Sequence, residues 1–252
     1  MLDTHCHIND PKFKGEVDQI VNNFLSAGIE KAICIGCCIE SSLDCIELAK
    51  KYDAVYCTVG VHPSDAEKYD EQALEEMLKT DNKKIVAIGE IGLDYYWTKD
   101  NKETQKEVFE SQIKLAKKYN LPIVIHCRDA FGDTLEILKQ NYPFENGAVM
   151  HCYSGSLSFA QELLKLGVKF SFTGTVTYKN AKNVQEVASN LPLDSFFFET
   201  DSPYLTPIPY RGERNEPKFV AEIYKFVADL RGISAKEMEK IADTNAKAFF
   251  KI

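Results

Sequence analysis

Histidine is scarce in this chain, and its placement is informative. Two of the five histidines stand as His5-Cys6-His7 in the opening "MLDTHCHIND". In an extended segment, residues two apart share a face, with Cα atoms about 6.6 Å apart at roughly 3.3 Å per residue. Two imidazoles so placed can lean onto one cation with bonds of about 2.0–2.1 Å. Cys6 would then point the other way, and in a helix the same pair would diverge. The other histidines also follow short apolar runs: His62 after "YCTVGV", His126 after "LPIVI" and His151 after "GAVM". A lone histidine at a strand end is usually a hydrogen-bonded structural residue. All of them at such positions point instead to one shared site.

Two acids join them. Glu90 closes the apolar run in "AIGEIGLD", and Asp201 closes "FFFETD", with Glu199 two residues earlier. A carboxylate directly after three phenylalanines is costly to bury unless it meets a cation. The plainer role for each acid is to cap a loop or the helix that follows. Together with the histidines they form a donor set of His5, His7, Glu90, His126, His151 and Asp201. That is too many ligands for one tetrahedral ion. Two divalent ions bridged by Glu90, on a middle strand, use all of them. Cations roughly 3.5–4 Å apart acidify a shared water and neutralise a developing oxyanion, which is hydrolytic chemistry. Mixed nitrogen and oxygen donors suit zinc, manganese, nickel or iron, whereas magnesium usually prefers oxygen alone.

Something must carry these residues to one place. Eight strand-like runs are expected: 1–5, 31–36, 54–60, 84–90, 121–126, 147–152, 168–174 and 195–200. Helical patterns lie between them, such as 15–28 and 103–120. The stretch 217–232 opens with Pro217 at a first-turn position and stops at Gly232. In the closing helix, Ser234 and Glu237 are spaced as a capping box. The strand runs are apolar on both faces, as parallel strands covered by helices must be. Eight β-then-α units in 252 residues describe a single (β/α)8 TIM barrel spanning 1–252, with chemistry at the carboxyl ends of its strands. A doubly wound open sheet is the competitor, weakened because no glycine-rich phosphate loop follows the first strand.

The totals set limits. At 44% hydrophobic and 27% charged the chain reads as globular with a sizeable core. Its net charge of −8 argues against retention on nucleic acid by a broad basic surface, though not against gripping one strand end. No apolar run approaches the roughly 20 residues that span a bilayer. Nothing before the first apolar residues leaves room for a signal peptide. The eight cysteines sit mostly in apolar runs and read as reduced, buried thiols; "CIGCC" lacks a second pair for a zinc knuckle. A cytoplasmic protein is expected, with monomer as the default.

At this point the motifs resemble the TatD family of metal-dependent deoxyribonucleases, among the amidohydrolase-like barrels. They are "LDTHCHIND" at 2–10, "GVHP" at 60–63, "AIGEIGLDYY" at 87–96, "LPIVIHCRDA" at 121–130, "HCYSGS" at 151–156, "ETDSPYL" at 199–205 and "RGERNEP" at 211–217. The resemblance implies that His5, His7 and Asp201 hold one ion, His126 and His151 the other, and Glu90 both. It implies further that Asp201 takes the proton from the attacking water and that His62 sits near the substrate phosphate. It suggests 3′-to-5′ trimming of DNA with an unpaired end.

Substrate contacts are expected from position. Arg128, two residues past His126, should share its face and reach a phosphate oxygen, or else form a rim salt bridge. Asp94, Tyr95, Tyr96 and Trp97 follow the fourth strand, where aromatics either stack an unpaired base or pack the loop. Arg211 and Arg214, after the eighth strand, are candidates for a backbone clamp. Two other readings stay open: hydrolysis of a small amide, lactone or phosphate ester by the same ligands, and a non-enzymatic metal-storing barrel. A structural metal site usually closes its coordination with protein ligands; six ligands shared by two ions leave room for substrate.

Overall fold

The computed structural model describes residues 1–80 and 83–252. Eight strands run parallel in sequence order around one sheet. They are β1 (Leu2–Cys6), β2 (Lys31–Cys34), β3 (Val55–Val59), β4 (Ile85–Asp94), β5 (Ile123–Arg128), β6 (Ala148–Met150), β7 (Lys169–Phe172) and β8 (Phe196–Phe198). Nine α-helices are found among the described residues: α1 (Val17–Asn22), α2 (Ile39–Lys51), α3 (Glu71–Leu78), α4 (Lys102–Lys118), α5 (Phe131–Asn141), α6 (Leu157–Lys165), α7 (Lys182–Asn190), α8 (Val220–Arg231) and α9 (Ala235–Phe250). A parallel connection needs a crossover long enough for such a helix, so strand and helix alternate and the sheet curls into the expected TIM barrel.

The strands are buried on both faces, as their continuous apolar runs require: every residue of β1, β4, β6 and β8 is buried. Phe196, Phe197 and Phe198 pack against Phe172, against Phe249 and Phe250, and against Tyr224. Each buried ring contributes about 1.5–3 kcal/mol.

The seam between β1 and β8 is closed partly by side chains. Thr4 Oγ1 donates to the Phe198 carbonyl at 3.0 Å, and Thr200 N donates to Asp3 Oδ1 at 2.8 Å. Cys6 and Ser202 then pair as an isolated parallel bridge, with His7 N donating to Ser202 O at 2.7 Å. Burial pushes the Asp3 carboxyl up to about 8, against its hydrogen bonds from Thr200 and the His5 N–H.

Two elements depart from expectation. The first helix stops at Asn22 instead of continuing to 28; Phe24, Ala27 and Gly28 each donate three residues back, as loose turns. Strand β4 continues past Glu90 to Asp94, pairing Gly92 with His126 and Asp94 with Arg128. Gly92 has φ +139, and a Cβ there would lie 2.0 Å from the His126 carbonyl, so only glycine permits the extension. Pro217 opens a short 3-10 turn before α8, whose end is Gly232 at φ +67. Ser234 caps α9 through the Glu237 N–H.

Candidate metal centre

The barrel brings the six sequence-identified donors together, with β1 supplying the first two. His5 and His7 aim Nε2 atoms at one another, 3.3 Å apart, and Cys6 turns away so that its thiol donates to Ile33 O. Asp201 Oδ1 lies 3.6 Å from His5 Nε2 and 3.2 Å from His7 Nε2; Glu90 Oε2 lies 3.5 Å from His5 Nε2. Donors on a tetrahedral ion at about 2.1 Å are roughly 3.4 Å apart, so these separations match a cation held between them. The other oxygen of Glu90 serves a second group: Oε1 is 2.8 Å from His126 Nδ1 and 2.9 Å from His151 Nε2. Each carboxylate oxygen thus faces its own imidazole cluster.

The backbone around these donors is unusual. Asp201 adopts φ +55, a left-handed conformation that non-glycine residues rarely accept. It is held there by its N–H on His5 O at 2.8 Å and by Tyr204 N on its carbonyl at 2.9 Å. Glu90 N donates to Gly36 O at 2.8 Å, and the Gly89–Glu90 peptide is cis.

Electrostatics divide the cluster. Burial alone would raise Glu90, but His151, His126 and His5 outweigh it and hold the carboxylate well below its usual range. Asp201 is likewise lowered, through His7 and His5 against burial. His151, flanked by Glu90 and Glu199, is raised well above the usual imidazole value despite burial; His126 is raised by Asp94 and Glu90. Cys37 and Asp201 raise His7 against burial. His5 is lowered by burial and by His151, and its Nδ1 is a buried atom without a hydrogen bond. Opposed nitrogens and carboxylate oxygens gathered in one cluster fit divalent cations, which compete with protons for these donors.

Two acids stand behind the histidines. Asp94 Oδ2 lies 3.0 Å from His126 Nε2, and Glu199 Oε1 lies 3.2 Å from His151 Nδ1 and accepts from Cys152 N at 2.7 Å. In each case the far ring nitrogen donates to a carboxylate, which fixes the tautomer and aims the other nitrogen inward. The sequence had marked Asp94 as a substrate contact; the structure buries it, because one oxygen holds His126 while the other caps the Tyr96 and Trp97 N–H groups. Glu199 had no role beyond its place in the motif, although a buried acid after three phenylalanines was itself a signal. Cys37, with Sγ 3.8 Å from both His7 Nδ1 and Glu90 Oε2, was missed because nothing in "CIGCC" tells which thiol faces inward.

The remaining expected residues divide. His62 Nε2 lies 3.8 Å from Glu90 Oε1, and its Nδ1 pairs with Ser64; burial and His126 bring it down to about 4. Arg128 is exposed, with its guanidinium carbon over the Tyr96 ring at 4.1 Å from the centroid. Arg211, also exposed, covers Tyr178 at 4.2 Å. Tyr95 donates its hydroxyl to Asp133 at 2.7 Å, and Lys102 covers its ring. Arg214 is likewise committed, forking onto both oxygens of Glu16 while its face covers Phe13.

Comparison with known proteins decides the family. Residues 2–251 match the family described as TatD related DNase. The chain belongs to the TatD family of metal-dependent hydrolases. It is 40% identical to the uncharacterized metal-dependent hydrolase YabD of Bacillus subtilis over 100% of this chain and 99% of that protein. The corresponding figures for the uncharacterized metal-dependent hydrolase YcfH of Escherichia coli K12 are 33%, 100% and 96%. The crystal structure of YjjV, a TatD homolog from Escherichia coli K12, superposes with a TM-score of 0.95 at 32% identity, covering 100% of this chain and 98% of that one. Among the described residues no helix is long and apolar enough to cross a membrane.

Proposed function

We propose that this TatD-family hydrolase is a deoxyribonuclease that trims DNA from an unpaired 3′ end by hydrolysing phosphodiester bonds. The supporting observation is the division of Glu90, one oxygen to the His5 and His7 side and the other to His126 and His151. On this reading His5, His7 and Asp201 would hold one divalent ion, His126 and His151 the second, with Glu90 serving both. When bound, the ions supply Lewis acidity, acidifying water and neutralising charge that develops on the phosphate. Asp201 accepts the proton of the attacking water through its carboxylate. His62, neutral because its value lies near 4, offers Nε2 to a phosphate oxygen while Ser64 occupies Nδ1. Asp94 and Glu199 keep His126 and His151 in register. The substrate class rests on the family description and on Arg128 and Arg211, neither of which meets a carboxylate among the described residues. The same reading treats residues 1–252 as one catalytic domain, working as a cytoplasmic monomer.

The test is digestion of a 3′-overhang oligonucleotide by metal-stripped protein reloaded in turn with Mg²⁺, Mn²⁺ and Zn²⁺. A ladder shortening from the 3′ end, stopped by chelator, is expected. Intact DNA under all three ions would overturn the nuclease assignment and return the choice to small esters, lactones and amides.

A further inference from the structure

The loop after β4 carries an arrangement that the centre itself does not use. Trp97, the one tryptophan of the chain, is 69% exposed, and its neighbour Tyr96 is 46% exposed. Their rings meet edge to face at 4.7 Å between centroids. Arg128 covers the Tyr96 ring at 4.1 Å and lies 5.4 Å from that of Trp97. Contact with a ring leaves the guanidinium donors available, and none of those of Arg128 is hydrogen-bonded among the described residues.

An exposed tryptophan is common on a slack loop, but this loop is not slack. Asp94 Oδ1 accepts from Tyr96 N at 2.9 Å and from Trp97 N at 2.8 Å. Gln105 Nε2 ties the Asp94 carbonyl, the Thr98 carbonyl and Asn101 Oδ1 together. The aromatic pair is therefore displayed on a fixed base, and its ordering entropy is met during folding and not upon binding. The same Asp94 holds His126 through its second oxygen, so one carboxylate indexes the exposed rings to the metal centre. Arg128 stands two residues beyond His126 on the paired strand, roughly 6.6 Å farther along.

We propose that Trp97, Tyr96 and Arg128 form a nucleotide subsite, in which an unpaired base stacks on Trp97 and Arg128 holds a neighbouring phosphate through its edge. A cation beside a flat, exposed ring matches the anion and the π-face that every nucleotide carries. Such a subsite reads no sequence, and it captures one strand end without the broad basic surface that a net charge of −8 argues against. The inference rests on the nuclease reading.

Its test exploits the single tryptophan. In excess chelator, where nothing is cleaved, a short oligothymidylate is titrated into the protein while indole emission is followed. Saturable quenching is expected with the oligonucleotide and not with an abasic strand of equal length. Arg128→Ala should weaken the apparent affinity about tenfold and reduce the salt slope by about 0.7. In metal-loaded protein, Trp97→Ala should lower kcat/KM for a 3′ overhang by roughly 5- to 150-fold, mostly through KM. Its melting temperature should stay within about a degree of wild type, because the indole is exposed. Equal quenching by intact and abasic strands, or a Trp97→Ala enzyme within twofold of wild type on DNA that wild type cleaves, would overturn the subsite alone. Wild type that cleaves no DNA would overturn the nuclease reading itself. Emission that follows protein concentration and ignores DNA would reassign the patch to contact between copies of this chain.

Discussion

The floor of the barrel mouth and its rim are built by opposite rules. At the floor the polar groups hold one another: Glu90 answers to three histidines, and His126 and His151 are each gripped from behind by an acid. At the rim Arg128 and Trp97 are stabilised by aromatic contact, and most of their polar capacity faces outward. The difference separates geometry from capture. A buried, cross-braced cluster tolerates no loss of a member, because each removal leaves another charge uncompensated. A rim group can be removed without disturbing its neighbours, so its loss is felt in affinity.

The comparison predicts a descending series. Glu90→Gln removes the carboxylate whose two oxygens face the inward nitrogens of both clusters. Hydrolysis should fall about 10³-fold or more, and bound metal measured by elemental analysis should fall with it. If the variant kept full metal content and activity, the two clusters would not depend on each other. Asp201→Asn should reduce kcat by about 10²- to 10⁴-fold and remove the acidic limb of the pH–rate profile. An unchanged profile would move the proton to another group.

Glu199→Gln and Asp94→Asn keep the shape of the acids and lose their charge. Each should weaken metal binding about 10- to 100-fold, measured by competition with a chelating dye. Asp94→Asn should in addition leave the Tyr96–Trp97 loop in place, since an amide oxygen still accepts from the two N–H groups. Losses beyond a hundredfold for either would make it a ligand and not a brace.

The pH dependence has a definite sign. His7, His126 and His151 are raised by the acids and the Cys37 thiol around them, so in the metal-free protein they hold protons to higher pH than free imidazoles do. Metal must displace these protons, so affinity weakens as pH falls, and loading at neutral pH should release protons. Calorimetry in buffers of different ionisation enthalpy measures the number, and zero release would mean that the imidazoles are already neutral.

The smallest effect belongs to Arg214. It resembles Arg128 in the sequence, yet Glu16 and Phe13 hold it. Arg214→Ala should lower the melting temperature by no more than about 4 °C and leave the KM for DNA unmoved. A tenfold rise in KM would place it with Arg128.

These two arginines also mark the limit of sequence reading. The barrel was legible because β-branched runs alternate with amphipathic stretches, and the donor set because all the histidines end such runs. His-x-His carries its own geometry, since extended backbone alone puts both rings on one face. What stayed hidden depended on partners distant in sequence. Asp94 follows a strand in "GLDYY" like any loop acid, and nothing nearby says that its second oxygen meets a histidine 32 residues away. Arg214 differs from Arg128 only through Glu16, 198 residues away. The extension of β4 past Glu90 required knowing that Gly92 lies against the His126 carbonyl.

The closing clip of the barrel has a bearing on the order of events during synthesis. Asp3 and Thr200 meet across 197 residues, and beside them His5 and His7 meet Asp201. At about 5–20 residues per second a ribosome needs roughly 10–40 s to deliver the second half of that contact after the first. Until Asp201 is delivered, the leading histidine pair has only Glu90, 85 residues after His5, to oppose it. The donor set is therefore completed by one of the last segments of the chain to be made, so Asp201 joins His5 and His7 only as β8 closes onto β1.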